Sequence, residues 1–195
     1  MSDAERSREV LAFWFGAPGD AHHNKTRQEW FRKDDAFDAE IRSRFGTLID
    51  DALDGKLAPW ATTADGALAQ ILVLDQFTRN AFRGTPRSFA GDAQALTLAR
   101  TLVADGRDRT LPGVRRSFVY LPFEHAEDLA TQDQSLVLFK QLARDEPEQA
   151  SLTTWAERHH AIIARFGRFP HRNAILGRPS TPEEEAFLRE PGSGF

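Results

Sequence analysis

Two stretches of this sequence set arginine beside asparagine just past a helical segment: Phe77-Thr78-Arg79-Asn80 and Phe169-Pro170-His171-Arg172-Asn173. Arginine offers a planar fork of N–H donors that matches a carboxylate or a phosphate. Arg83 and Arg87 add charge to the first region, and Arg165, Arg168 and Arg178 to the second. Between them in sequence lies Glu124-His125-Ala126-Glu127-Asp128, three carboxylates and one imidazole in five residues. Histidine paired with a carboxylate is a common means of moving protons at neutral pH. Arg79, Asn80, Arg168, His171, Arg172 and Asn173 are therefore the candidate anion-binding set. His125, Glu124, Asp128 and His159 are the candidate acid–base set.

Three readings of these residues stay open. The functional expectation is a pocket for an anionic metabolite or an acidic peptide terminus. An enzyme would use the same arginines to hold a negative substrate while His125 or His159 exchanges protons with Glu124, Glu127 or Asp128. In the third reading the charges only neutralise one another and stitch a coil-rich C-terminal stretch onto the helices, since buried charges must be paired.

Other chemistries find little support. Without cysteine, disulfides, thiolate metal sites and iron–sulfur clusters are excluded. Glu157-x-x-His160 lacks the second such step of a di-iron site, and arginines oppose a cation at His125-x-x-Asp128, so no metal or cofactor is expected. No HExxH, GxSxG, phosphate-loop or dinucleotide glycine motif occurs. The formal net charge of −4 speaks against a nucleic-acid partner. No apolar run is long enough to span a bilayer, and the helix carrying Phe13-Trp14-Phe15 lacks a basic polar face, so no membrane partner is expected. The expected location is the cytoplasm. Oligomeric state is not encoded in any feature of the sequence.

The elements that must position these residues are helices. Apolar residues recur at three- and four-residue steps along nearly all of the 195 residues, which reads as one all-α domain over 1–195. The first helix spans 5–15 and a second 26–33. A third opens at Asp34 or Asp35, carries Phe37, Ile41, Phe45, Leu48 and Ala52, and stops at Gly55. Thr63 caps the next, to Phe77, where Leu68, Leu72, Asp75 and Arg79 share a side. A loop is expected over 79–90 and helices over 92–106 and 113–121, the latter halting near Pro122. A long helix over 124–144 would carry His125, Leu129, Gln132, Leu136 and Phe139 on one stripe. Another over 148–166 would turn Trp155, His159 and Phe166 to the core and His160 to water. After a non-helical stretch from 168 to 180, Thr181-Pro182-Glu183-Glu184 has the form of a capping box with proline at the first helical position.

The blocks FWFG (13–16), WFRKD (30–34), LDQFTRNAFRGTPRSFAGD (74–92), YLPFEHAEDLATQ (120–132) and RFGRFPHRNAILGR (165–178) resemble a bacterial family of uncharacterised, tetratricopeptide-like proteins. They are spread over nearly the whole chain. Thr78 departs from the pattern, which usually has proline there. The resemblance implies helical hairpins in a compact, right-handed, tetratricopeptide-like superhelix. It implies no activity.

Overall fold

The computed structural model describes residues 2–194, which contain helices and no strand. Helix α1 (Asp3–Phe15) begins at a capping box in which Ser2 and Glu5 satisfy each other's backbone N–H groups. Helix α2 (Asp35–Leu53) is capped by Asp34, which accepts from Ala36 and Phe37. Helix α3 (Ala64–Ile71) is capped by Thr63, continues through a π-helical turn (Leu72–Phe77), and ends as the short α4 (Thr78–Ala81). Then follow α5 (Asp92–Ala104), α6 (Gly113–Glu124), α7 (Leu129–Asp145), α8 (Leu152–Phe166) and α9 (Pro182–Leu188). Helix α3 packs on α1 and α5, and α2 on the π turn and α4. Beyond them α5 meets α6, α6 meets α7, and α7 meets α8.

The core gathers the apolar stripes of these helices. Trp14 contacts Trp30, Phe37, Phe77 and Phe118, and Phe45 packs on Phe77. Each such ring pair adds about 0.5–1.5 kcal/mol beyond its area burial. A smaller apolar group, Ile162, Ile163 and Phe169 with Phe166 and Phe187, ties α8 to the C-terminal segment.

Besides the loop expected over 79–90, whose start is helical through Ala81 so that Arg79 and Asn80 lie on α4 rather than past a helix, four expectations from the sequence are corrected. The segment 26–33 forms only a 3-10 turn, Gln28–Trp30, because Arg27 turns back to donate to the Phe13 and Trp14 carbonyls at the end of α1. Pro122 does not stop α6, which runs two residues further. Proline removes one N–H donor, here the one that would meet the Phe118 carbonyl one turn back, and the helix continues with that single bond missing. The end of the helix is met by Gln132, whose Nε2 donates to the Glu124 carbonyl at 2.6 Å and, in the link beyond, to that of Ala126 at 2.8 Å. The same contacts explain the third correction: 124–144 is not one helix. The chain breaks after Glu124, and Asp128 caps α7 by accepting from the Thr131 N–H at 2.8 Å. His125 therefore sits in the link between α6 and α7. Fourth, Trp155 and Leu129 face outward, 46% and 45% exposed, rather than into the core.

The π turn is a wide, buried kink in the α3–α4 rod, and such turns often accompany functional sites. The Thr78 hydroxyl donates to the Leu74 carbonyl at 2.7 Å, giving that group a side-chain partner within the kink. Gly91 passes directly over the turn: a Cβ there would stand 2.2 Å from the Leu74 oxygen. Gly91→Ala should therefore displace the π turn at a cost of roughly 1–3 kcal/mol, the usual range for overpacking. A shift in the urea midpoint checks this; an unchanged midpoint would mean the turn is loosely held.

Candidate functional site

Asp75 lies on the π turn and is completely buried. Its Oδ1 accepts the His125 Nδ1–H at 2.7 Å and stands 3.1 Å from Arg79 Nη1, while its Oδ2 accepts from Gln76 at 2.6 Å. Burial alone would raise its pKa. The positive charge of Arg79 and the hydrogen bonds from His125 and Gln76 outweigh burial and hold the carboxylate ionised, well below its ordinary range. His125 is pressed downward, first by burial and then by Arg79, against the opposing pull of Asp75. A neutral imidazole that donates from Nδ1 carries its lone pair on Nε2. Arg79 in turn forks Asp92 at 2.8 and 3.0 Å, which closes the loop from α4 to the first turn of α5.

Glu124, at the end of α6, and His159, on α8, form a second pair behind the first. The Glu124 Oε1 to His159 Nδ1 distance is 3.2 Å, but this is not an ion pair. Burial, reinforced by the charge of Asp75, pushes Glu124 up to about 8, so it is a carboxylic acid at neutral pH. Burial, with His125 adding to it, presses His159 down to about 3. The His159 Nδ1–H also donates to the Trp155 carbonyl at 2.9 Å. The His125 and His159 rings are 6.2 Å apart between centroids.

Arg172 reaches this cluster from the C-terminal stretch. Its guanidinium lies over the rings of Phe89 at 4.7 Å and Phe169 at 4.6 Å, and Nη2 donates to the His125 carbonyl at 3.1 Å. Its carboxylate contact is long, 3.5 Å from Nη1 to Asp92 Oδ2, and its Nε is sealed from solvent with no protein partner. Burial, then the neighbouring Arg79, lowers it to about 10. His171 beside it is pressed down to about 4 by burial and by the Arg172 charge.

The structure thus brings together Arg79, Arg172, His171, His125, Glu124 and His159, and leaves the remaining predicted residues elsewhere. Asp128 is the α7 cap. Asn80 donates to Asp38 at 2.7 Å, which Arg83 also forks. Arg168 forks Glu184 at 2.7 and 2.8 Å, and Asn173 donates to Ser180 and Glu184. Arg178 pairs with Glu127, which also accepts the Phe169 N–H at 2.8 Å. His160, expected in water, is bonded to Asp133 at 2.8 Å. Sequence reasoning missed Asp92 and Glu184 as partners: both looked like ordinary first-turn acids of a helix. Arg168→Ala should release α9 from α8, seen as faster proteolytic cleavage within 168–188 while the melting temperature of the rest holds. Equal cleavage of the two proteins would show that other contacts dock this segment.

No helix among the described residues is long and apolar enough to cross a membrane. No curated protein matches the chain. A solved structure described as a protein of unknown function, ATU0120 from Agrobacterium tumefaciens, is similar at 38% identity with a TM-score of 0.84; the match covers 96% of this chain and 99% of that one. The family model described as bacterial protein of unknown function (DUF924) matches residues 10–192, so the chain belongs to the DUF924 family.

Proposed function

We propose that the protein binds a small anion, a carboxylate or phosphate on a metabolite or an acidic peptide end, with Arg172 as its anchor. One observation carries this reading. Of the arginines predicted to face an anion, Arg79 and Arg168 are each forked to a carboxylate at short range, whereas Arg172 is buried with only a 3.5 Å carboxylate contact and an unpartnered Nε. A buried, incompletely neutralised guanidinium is costly, and an incoming anion would relieve that cost. The stacking of successive helices from α5 to α8 supports a tetratricopeptide-like hairpin arrangement as the frame. The cysteine-free sequence suits the reducing cytoplasm, our proposed location.

The test is thermal denaturation with inorganic phosphate, sulfate and small dicarboxylates. The melting temperature of the wild type and of Arg168→Gln should rise with anion concentration, and that of Arg172→Gln should not. Equal responses from wild type and Arg172→Gln would overturn the reading.

A second reading, acid–base catalysis on the bound anion, is favoured by the Asp75–His125 pair, which fixes the tautomer with its lone pair on Nε2. Nuclear magnetic resonance of the bound anion over time would separate the two. Chemical change lost in His125→Gln supports catalysis, and an unaltered ligand supports binding alone.

A further inference from the structure

Three polar atoms are sealed from solvent where α6, α7 and α8 meet, none with a protein partner: Glu124 Oε2, Gln132 Oε1 and Ser135 Oγ. Gln132 and Ser135 are completely buried, and Glu124 is nearly so. The side chains that carry them belong to one junction: Gln132 is bonded to the main chain of Glu124, and Ser135 lies one turn further along α7. Gln132 Nε2 is fixed against the Glu124 and Ala126 carbonyls, within 3.5 Å of that of Phe123 as well. Three surrounding acceptors set the orientation of the amide, so its oxygen is the end left over. Ser135 follows Gln132 by three residues on α7, the spacing that puts two side chains on one helix face. Glu124 is held from the far side by His159 of α8.

We infer that this junction is a binding site for one internal water molecule, hydrogen-bonded to Glu124, Gln132 and Ser135. The donor and acceptor count fits water. The Glu124 carboxylic acid has an O–H to give, the Gln132 oxygen only accepts, and the Ser135 hydroxyl does either. Water accepts from Glu124 and donates to the other two, the three bonds usual for a buried water. The occupant gives the Glu124 proton an acceptor and so lets the acid stay neutral close to the ionised Asp75. A desolvated cation is the competing occupant, and it would require an ionised Glu124.

A crystal structure at a resolution that shows ordered water tests the site directly, with infrared spectroscopy as a measurement in solution. One water-like peak is expected within hydrogen-bond distance of all three atoms. The carboxylic acid stretch should be present at neutral pH, shift in Ser135→Ala, and vanish in Glu124→Gln. The inference is overturned if the three atoms pair with one another and no peak lies between them. It is equally overturned if rubidium soaking replaces the peak, or if Ser135→Ala leaves the stretch in place. Because the wild-type crystal is decisive by itself, a variant that fails to fold does not leave the question open.

Discussion

Asp75→Ala should lower folding stability by about 3–5 kcal/mol, the penalty for removing one partner from a buried charge network. The loss has three sources in the geometry. Arg79 keeps Asp92 but loses its second carboxylate, the His125 Nδ1–H loses its acceptor, and Gln76 loses the oxygen that orients it. Against a total stability of roughly 5–15 kcal/mol for a domain, this would leave the native state marginal. Urea denaturation at neutral pH measures it. Asp75→Asn should fall between the two proteins, since its amide oxygen still accepts from His125 while Arg79 loses the charge. A loss below about 1 kcal/mol for the alanine variant would mean that this network contributes no more than a surface ion pair.

Glu124→Gln is expected to act in the opposite direction. The unfolded chain ionises Glu124 at its ordinary 4.5, while the folded chain holds the proton up to about 8. Between these values the native state binds more protons than the unfolded state, so stability falls as pH rises through the window and levels off above it. At pH 7 the shift amounts to about 3 kcal/mol of lost stability, from 1.36 kcal/mol per pKa unit. Glutamine has the shape of the protonated acid and no ionisation, so Glu124→Gln should recover about that much at pH 7. The histidines have the other sign. His159 and His171 titrate near 3 and 4 in the folded chain against 6.5 when unfolded, so the stability they support is present above 6.5 and is lost as pH falls. The wild-type profile should therefore pass through a shallow maximum on the acid side of neutrality, while the variant should climb to a plateau above 6.5. Chemical denaturation across pH 4–9 separates them. Parallel profiles, with no gain for the variant at pH 7, would mean that Glu124 is ionised in the native state.

The local rules that the sequence carries were sufficient for the helical class and for several boundaries. Asp34, Thr63 and the Thr181–Glu184 box cap helices as their types and spacing predict, because capping is settled within three residues of chain. The stripe of Phe37, Ile41, Phe45, Leu48 and Ala52 is buried for an equally local reason: the helical period alone fixes which side chains share a face. The family-like blocks also marked the two arginine regions and the Glu124–Asp128 segment that the structure draws on for its polar cluster.

What tertiary structure alone decided is the partner of each charge and its protonation state. The i,i+4 spacing places Asp75 beside Arg79, but nothing in the spacing of Arg79, Arg168, Arg172 and Arg178 says that Asp92, Glu184 and Glu127 occupy three of them at short range and leave Arg172 short of a counterion. The break at 125–128 had the same origin. The sequence there has helical periodicity, and it is the Gln132 amide, folded back onto the α6 carbonyls, that ends one helix and frees Asp128 to begin the next. Whether Glu124 is a carboxylate or a carboxylic acid depends on solvent exclusion by three helices and on the charge of Asp75, neither of which is local in the chain. Short-range backbone preferences are written in adjacent residues, whereas electrostatic free energies depend on distances and burial that exist only once the chain has packed.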